Sequence, residues 1–353
     1  MPDLREAFEM VKQQTEPDKD SWAEQERRIR GSERKRKYAA IALVAALLVV
    51  IGVVVASNLD ADDQGGGFVP ATTGPTPGFA PGPSQLTFLD IASGKTTGSG
   101  IVPGASEVDV SLDGTKMTYL DGSGAVTVAN VDGSDPHPFA QTIAAEDPIA
   151  PRWSPDGTEI VFQRQGPEHL IGDLYVLDVT SGQVKQITHV PQVKAGLYYM
   201  APAFSADGQS VLFTMPTQVA SGPNSGQLEW DLWTVPASGG DATLLVKNAG
   251  LADTQPRGGS IAYVSLQPDG KGDPTLGDLY VARSDGSQAR KVADGEALLP
   301  RWSPDGSAIA YADMRAVRLF VVNVANGDKE EVWDSDEWPE WVNQQTLIID
   351  LSD

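Results

Sequence analysis

The longest apolar run in the chain is Tyr38–Ala56, YAAIALVAALLVVIGVVVA, nineteen positions without a charged side chain. As a helix it measures about 28 Å at roughly 1.5 Å per residue, close to a hydrocarbon core of about 30 Å. Its flanks differ in sign: Arg27–Lys37 packs seven bases into eleven residues, whereas Asp60, Asp62 and Asp63 follow the run. Under the positive-inside rule this predicts a transmembrane helix over 38–57, with residues 1–37 in the cytoplasm and the rest outside the cytoplasmic (plasma) membrane. Val54-Val55-Ala56 also reads as a signal-peptide cleavage site. Signal peptides, however, carry a short leader and about 7–15 apolar residues, so the longer run here favours an uncleaved single-pass anchor.

Within residues 1–37, Leu4, Ala7, Phe8 and Val11 recur at helical spacing, and Ser21-Trp22-Ala23-Glu24 reads as a capping box that starts a second helix. The stripe predicts a surface helix beside the membrane. Its alternative use is docking of a cytoplasmic partner through Leu4, Phe8 and Val11. After the apolar run, residues 58–84 are dominated by Gly, Pro and Thr and predict an extended, flexible spacer.

Beyond residue 84 the pattern changes to short apolar strands separated by Asp-Gly turns. Ala150–Phe162, APRWSPDGTEIVF, returns as LPRWSPDGSAIAY at Leu299–Tyr311. Weaker copies are APAFSADGQSVLF at Ala201–Phe213 and VDVSLDGTKMTY at Val108–Tyr119. The Ser-x-Asp-Gly turn begins at Ser111, Ser154, Ser205 and Ser303, so one interval is double the others. A degenerate copy is expected inside it, and Pro256–Tyr263, PRGGSIAY, reads as that copy with Trp-Ser-Pro-Asp deleted. A sixth, eroded copy is Trp338-Pro339-Glu340-Trp341 followed by Thr346–Ile349. Each of the better copies is followed by a strand such as Asp173-Leu174-Tyr175-Val176 or Asp278-Leu279-Tyr280-Val281, then a turn and a polar strand.

Four antiparallel strands per unit of this length make a propeller blade. The chain ends two strands into the last unit, and Gln85–Ile91 with Lys95–Val102 supply two more at the other end. The expected fold class is therefore an all-β six-bladed β-propeller over 85–353, closed by pairing of its two ends, behind an N-terminal transmembrane helix and a short helical cytoplasmic segment. Trp153, Phe204, Trp302 and Trp341 recur at one position and are expected to wedge between blades.

The unit W/F-S-P/A-D-G, an apolar strand, then D-L-Y-V, resembles the WD-repeat-like propeller units of TolB-type proteins over essentially all of 85–353. The resemblance implies a six-bladed propeller that works by binding other proteins. Such proteins are soluble and periplasmic, with an α/β domain before the propeller, whereas here an anchor and spacer take that place.

Composition sharpens this. The formal charge of −22 is uneven: ten bases meet nine acids up to Lys37, and sixteen meet thirty-nine beyond it. A nucleic-acid partner is excluded, because phosphate affinity needs clustered Lys and Arg. With no cysteine, disulfides, thiolate chemistry and Cys-based zinc sites are excluded as well.

Candidate chemistry is sparse. No G-x-S-x-G elbow occurs, and His137, His169 and His189 are widely spaced. Asp269, Asp273 and Asp278 share a Gly-rich loop but match no calcium-loop spacing. Neither an enzyme nor a cofactor is expected, with a propeller hydrolase or lactonase as the minority reading. The residues preceding the recurrent aromatic align as Asp109, Arg152, Ala203, Arg257, Arg301 and Glu340, one per blade. Strand alternation turns them from the wedge toward the tunnel, placing Asp109 beside Arg152 and Arg301 beside Glu340. They serve either as ion pairs between blades or as a charged tunnel mouth for a polar ligand or peptide. The expected function is a protein-binding scaffold or sensor in the cell envelope. The alternative is a signalling protein whose N-terminal segment holds a cytoplasmic regulator, in the manner of an anti-sigma protein.

Overall fold

In the computed structural model the described residues are 83–351, apart from 94, 104, 143–147, 165–171, 191–199, 219–227, 269–273 and 335–338. The expected segment 1–37 with Leu4, Phe8 and Val11, the helix over 38–57 and the spacer as far as residue 82 lie outside them.

Twenty-four strands form six four-stranded antiparallel sheets. The chain opens with β1 (Pro83–Asp90) and β2 (Lys95–Pro103). Blade 1 follows as β3 (Ser106–Val110), β4 (Lys116–Leu120), β5 (Val126–Asn130) and β6 (His137–Phe139). Blade 2 is β7 (Pro148–Trp153), β8 (Glu159–Arg164), β9 (Leu174–Asp178) and β10 (Val184–Gln186). Blade 3 is β11 (Ala203–Phe204), β12 (Ser210–Gln218), β13 (Leu228–Pro236) and β14 (Thr243–Val246). Blade 4 is β15 (Ala249–Thr254), β16 (Ser260–Pro268), β17 (Pro274–Arg283) and β18 (Arg290–Ala293). Blade 5 is β19 (Ala297–Trp302), β20 (Ala308–Asp313), β21 (Arg318–Asn323) and β22 (Lys329–Trp333).

Blade 6 joins the two ends. Strands β23 (Pro339–Asn343) and β24 (Thr346–Leu351) form a sheet in the order β2-β1-β24-β23, with Leu89 opposite Leu347. Hydrogen bonding of first strand to last leaves no open edge at the junction where the ring would otherwise part.

The repeated turn explains itself chemically. Ser154 Oγ donates to Asp156 Oδ1 (2.7 Å) and accepts from the Glu159 N–H (2.9 Å), while Gly157 supplies φ +70°. The same side-chain pair recurs at Ser111–Asp113 (2.7 Å), Ser205–Asp207 (2.6 Å) and Ser303–Asp305 (2.8 Å). Serine and aspartate thus hold the turn polar groups that strand pairing leaves over.

Blades are locked by a size rule. In each blade one first-strand residue pairs across its hairpin with one second-strand residue: Asp109 with Thr118, Arg152 with Val161, Ala203 with Leu212, Asp253 with Ala262, Arg301 with Ala310 and Glu340 with Ile348. Those partners share buried clusters with the next blade's wedge: Val161 with Phe204, Ala262 with Trp302, Ala310 with Trp341, and Ile348 with Val110. Small partners meet indoles, and the large Ile348 meets the small Val110. Trp153 likewise packs with Leu120 and Val126 of blade 1. The wedge reading of the aromatics holds, and each is worth about 3–5 kcal/mol if truncated.

Candidate functional site

In each of blades 1 to 5 one strained residue aims the first strand at the axis. Glu107, Ala150, Ala201, Leu251 and Leu299 have φ between 45° and 54°, each two positions before a ring residue. In four blades this is where the hairpin register slips, between Ser106 and Asp109, Ile149 and Arg152, Gly250 and Asp253, and Leu298 and Arg301. Left-handed backbone at a non-glycine residue costs about 1–2 kcal/mol, so five such positions are retained only because the surrounding sheets determine them. The bulge re-aims the next side chain inward.

The ring they form is Asp109, Arg152, Ala203, Asp253, Arg301 and Glu340. Arg152 lies across the axis: its guanidinium is 3.2 Å from Asp109 Oδ1, 3.5 Å from Asp253 Oδ1 and 2.6 Å from Glu340 Oε1. These carboxylates belong to blades 1, 4 and 6, so one cation plugs the tunnel at this level. The small Ala203 of blade 3 leaves the neighbouring place in the ring without a long side chain. Arg301 Nε donates to the same Glu340 oxygen. The second oxygens of the aspartates tie blades together, Asp109 Oδ2 accepting from Trp153 N–H and Asp253 Oδ2 from Trp302 N–H, both at 2.7 Å.

Arg257 is not in the ring. It lies exposed in the turn after Thr254, and Asp253 takes the axial position. The fourth copy has no deletion: Gln255 N–H donates to Ser260 O (2.9 Å) and Gly258 N–H to Gln255 O (3.1 Å), matching the Ser303 turn of blade 5. Gln255, Pro256 and Arg257 therefore replace Ser, Pro and Asp, and Thr254 replaces the aromatic. The misplacement followed from aligning Pro-Arg with Pro-Arg. Even spacing points to within one residue of the right register, because the midpoint between Ser205 and Ser303 is Thr254, next to Gln255.

Three carboxylates face two guanidiniums, all nearly buried, so the ring carries one surplus negative charge when fully ionised. Burial pushes the Asp109 carboxyl up to about 7 against the pull of Arg152, with Glu340 adding to the rise. Burial also raises Asp253, opposed by Arg152 and Arg301. These groups titrate as one coupled unit. Beside them Glu107 accepts the Ala150 N–H, and its burial raises it to about 7.

Above the ring is an open cup. Its collar is the residue after the turn serine or its replacement in blades 1 to 5: Leu112, Pro155, Ala206, Pro256 and Pro304. An apolar rim thus surrounds a charged floor. The turn serines Ser154 and Ser303 donate to Asp156 and Asp305. His137 and His189 are exposed and away from the cup, and His169 lies outside the described residues. Of the acidic loop, Asp269 and Asp273 also lie outside, while Asp278 pairs with Lys291 at 3.3 Å.

Fold and site define a six-bladed β-propeller with a closed axial ion cluster beneath an apolar-collared cup. A structure of putative TolB from Agrobacterium tumefaciens shares this fold, at TM-score 0.56 and 17% identity over 76% of this chain and 97% of that one. An uncharacterised protein of Agrobacterium fabrum is 27% identical over 180 residues, 48% of this chain and 54% of that protein. The Tol-Pal system protein TolB of Methylococcus capsulatus is 35% identical over 79 residues, 21% of this chain and 18% of that protein. The chain thus spans about half the length of the first of these relatives and far less of the second. No protein-family model matches it.

Proposed function

We propose that the chain is a non-catalytic protein-binding propeller of the cell envelope, held at the cytoplasmic membrane by 38–57 and taking a partner polypeptide at its axial cup. The carrying observation is the cup itself: an apolar collar around a buried floor with one carboxylate more than it has guanidiniums. That chemistry fits a polypeptide segment presenting a cationic group, which would balance the floor while its flanks rest on Leu112 and the prolines. The sequence match to a protein of the Tol-Pal system supports a role in protein assembly outside the membrane. The anchor and orientation rest on the apolar run and its basic flank.

Peptide selection against the purified full chain in detergent tests this reading. Enriched peptides should carry Lys or Arg, and binding should weaken about tenfold or more in an Asp253→Asn/Glu340→Gln variant, measured well below that variant's lowered melting temperature. Peptides indifferent to both substitutions would refute it. The titration of the ring adds a sign: as Asp109, which burial pushes up to about 7, loses its proton, the floor becomes more negative. A basic peptide should therefore bind more tightly at pH 8 than at pH 6, as read by calorimetry.

A further inference from the structure

Blade 3 is the thin sector of the cup at both of its levels. On the floor it contributes Ala203, where the other five blades contribute Asp109, Arg152, Asp253, Arg301 and Glu340. On the collar it contributes Ala206, where blades 1, 2, 4 and 5 contribute Leu112, Pro155, Pro256 and Pro304. The two alanines stand three positions apart on one hairpin, so the smallest residue of the collar and the smallest of the floor share a blade. The charges flanking Ala203 are the loosest members of the ring. Arg152 and Asp253 keep 13% and 12% of their side-chain surface exposed, against 6% for Asp109, 9% for Glu340 and 10% for Arg301. Their mutual contact is also the longest in the cluster, 3.5 Å, against 3.2 Å and 2.6 Å from Arg152 to Asp109 and Glu340. Asp253 Oδ2 is engaged by the Trp302 N–H at 2.7 Å, which leaves Oδ1 as the oxygen turned to the axis. A single oxygen suits a point donor, whereas a guanidinium fork is matched by two parallel acceptors.

We propose that the cationic group taken by the cup is a lysine side chain, which comes down blade 3 past Ala206 and sets its ammonium on Asp253 Oδ1 above Ala203. This rests on the axial reading and adds to it the residue type and the sector of entry. A lysine stem is slim and apolar, which suits two alanine methyls, and its ammonium replaces the weakest of the three contacts made by Arg152. Arg152 then keeps Asp109 and Glu340, and the added charge balances the surplus carboxylate of the ring. Ala203 is the specificity-determining residue of this lane, because a longer side chain there closes it without altering the charge of the floor.

The probes are Nα-acetyl-lysinamide, Nα-acetyl-argininamide and the uncharged Nα-acetyl-norleucinamide, titrated into the full chain in deuterated detergent by saturation-transfer NMR. The lysine amide should bind at about millimolar concentration, the arginine amide several-fold more weakly and the norleucine amide not at all. Ala203→Leu, which fills the lane and leaves every charge in place, should weaken lysine-amide binding about tenfold. Asp253→Asn should do the same, and Glu340→Gln, which removes an equal charge from the opposite blade, should cost only about twofold. Undiminished binding in Ala203→Leu, equal losses in Asp253→Asn and Glu340→Gln, a norleucine or arginine amide that matches the lysine amide, or no binding of the lysine amide to the wild type would each overturn the lane. Should Ala203→Leu fail to fold, the contrast between Asp253→Asn and Glu340→Gln still decides. Failure of the axial reading is seen separately, as selected basic peptides that ignore both Asp253 and Glu340. The axial reading survives the loss of the lane where those peptides weaken in the double variant yet bind Ala203→Leu unchanged.

Discussion

Arg152 is the residue on which the axis depends, because it alone reaches carboxylates from three other blades. A buried ion cluster is weak evidence for stability, but removing one partner from it is costly, since the remaining charges lose their compensation. Arg152→Met should therefore destabilise the propeller by about 3–5 kcal/mol, read from guanidinium unfolding of the full chain. Glu107 offers a test with a pH signature. Its carboxyl, at about 7 in the folded state against an ordinary 4.5, holds a proton that the unfolded chain has released. Stability from this group is present below pH 4.5 and declines as pH rises through about 7. Melting temperatures between pH 5 and pH 8 should fall more steeply in the wild type than in Glu107→Gln. At this scale Arg152, Arg301 and Glu340 were legible because a recurrent tryptophan marked their place, and Asp109 because it stands two residues before the Ser111 turn. Asp253 was not, because Thr254 carries no such mark and the nearby Pro-Arg imitates one.

The repeated elements were the most legible part of the molecule. A Ser-x-Asp-Gly turn states its own hydrogen bonds, and the strands that follow it, such as Glu159–Arg164 and Ala308–Asp313, read as short apolar runs and are buried almost throughout. Less legible were the left-handed bulges: at Glu107, Ala150, Ala201, Leu251 and Leu299 nothing in the residue type announces positive φ. The inter-blade fit supplies it, and that depends on contacts far apart in sequence. The turns also differ in what surrounds them. Gly114 and Gly157 share φ near +70°, but a Cβ at Gly114 would strike the Val342 carbonyl, while one at Gly157 would meet nothing. Gly157→Ala should cost only the backbone penalty of about 1–2 kcal/mol. Gly114→Ala should cost clearly more, because blade 1 must shift against blade 6; thermal unfolding of the two variants gives the comparison.

At the scale of the whole molecule, closure and charge meet. With no cysteine in the chain, the ring is held by β1 pairing onto β24 and by the axial cluster that joins blades 1, 2, 4, 5 and 6. Both the closure and the count of blades could be read from interval lengths, whereas the plugging of the tunnel could not, since it depends on how far one arginine reaches. The account centres on the cup above that plug. Its most direct test is a photo-crosslinking amino acid placed in living cells at Leu112 on the collar and, as control, at the exposed Glu330. The account predicts one discrete protein adduct at Leu112, lost when Asp253→Asn and Glu340→Gln are combined, and none at Glu330. Adducts of equal yield at both positions, or a Leu112 adduct that survives the two substitutions, would contradict it.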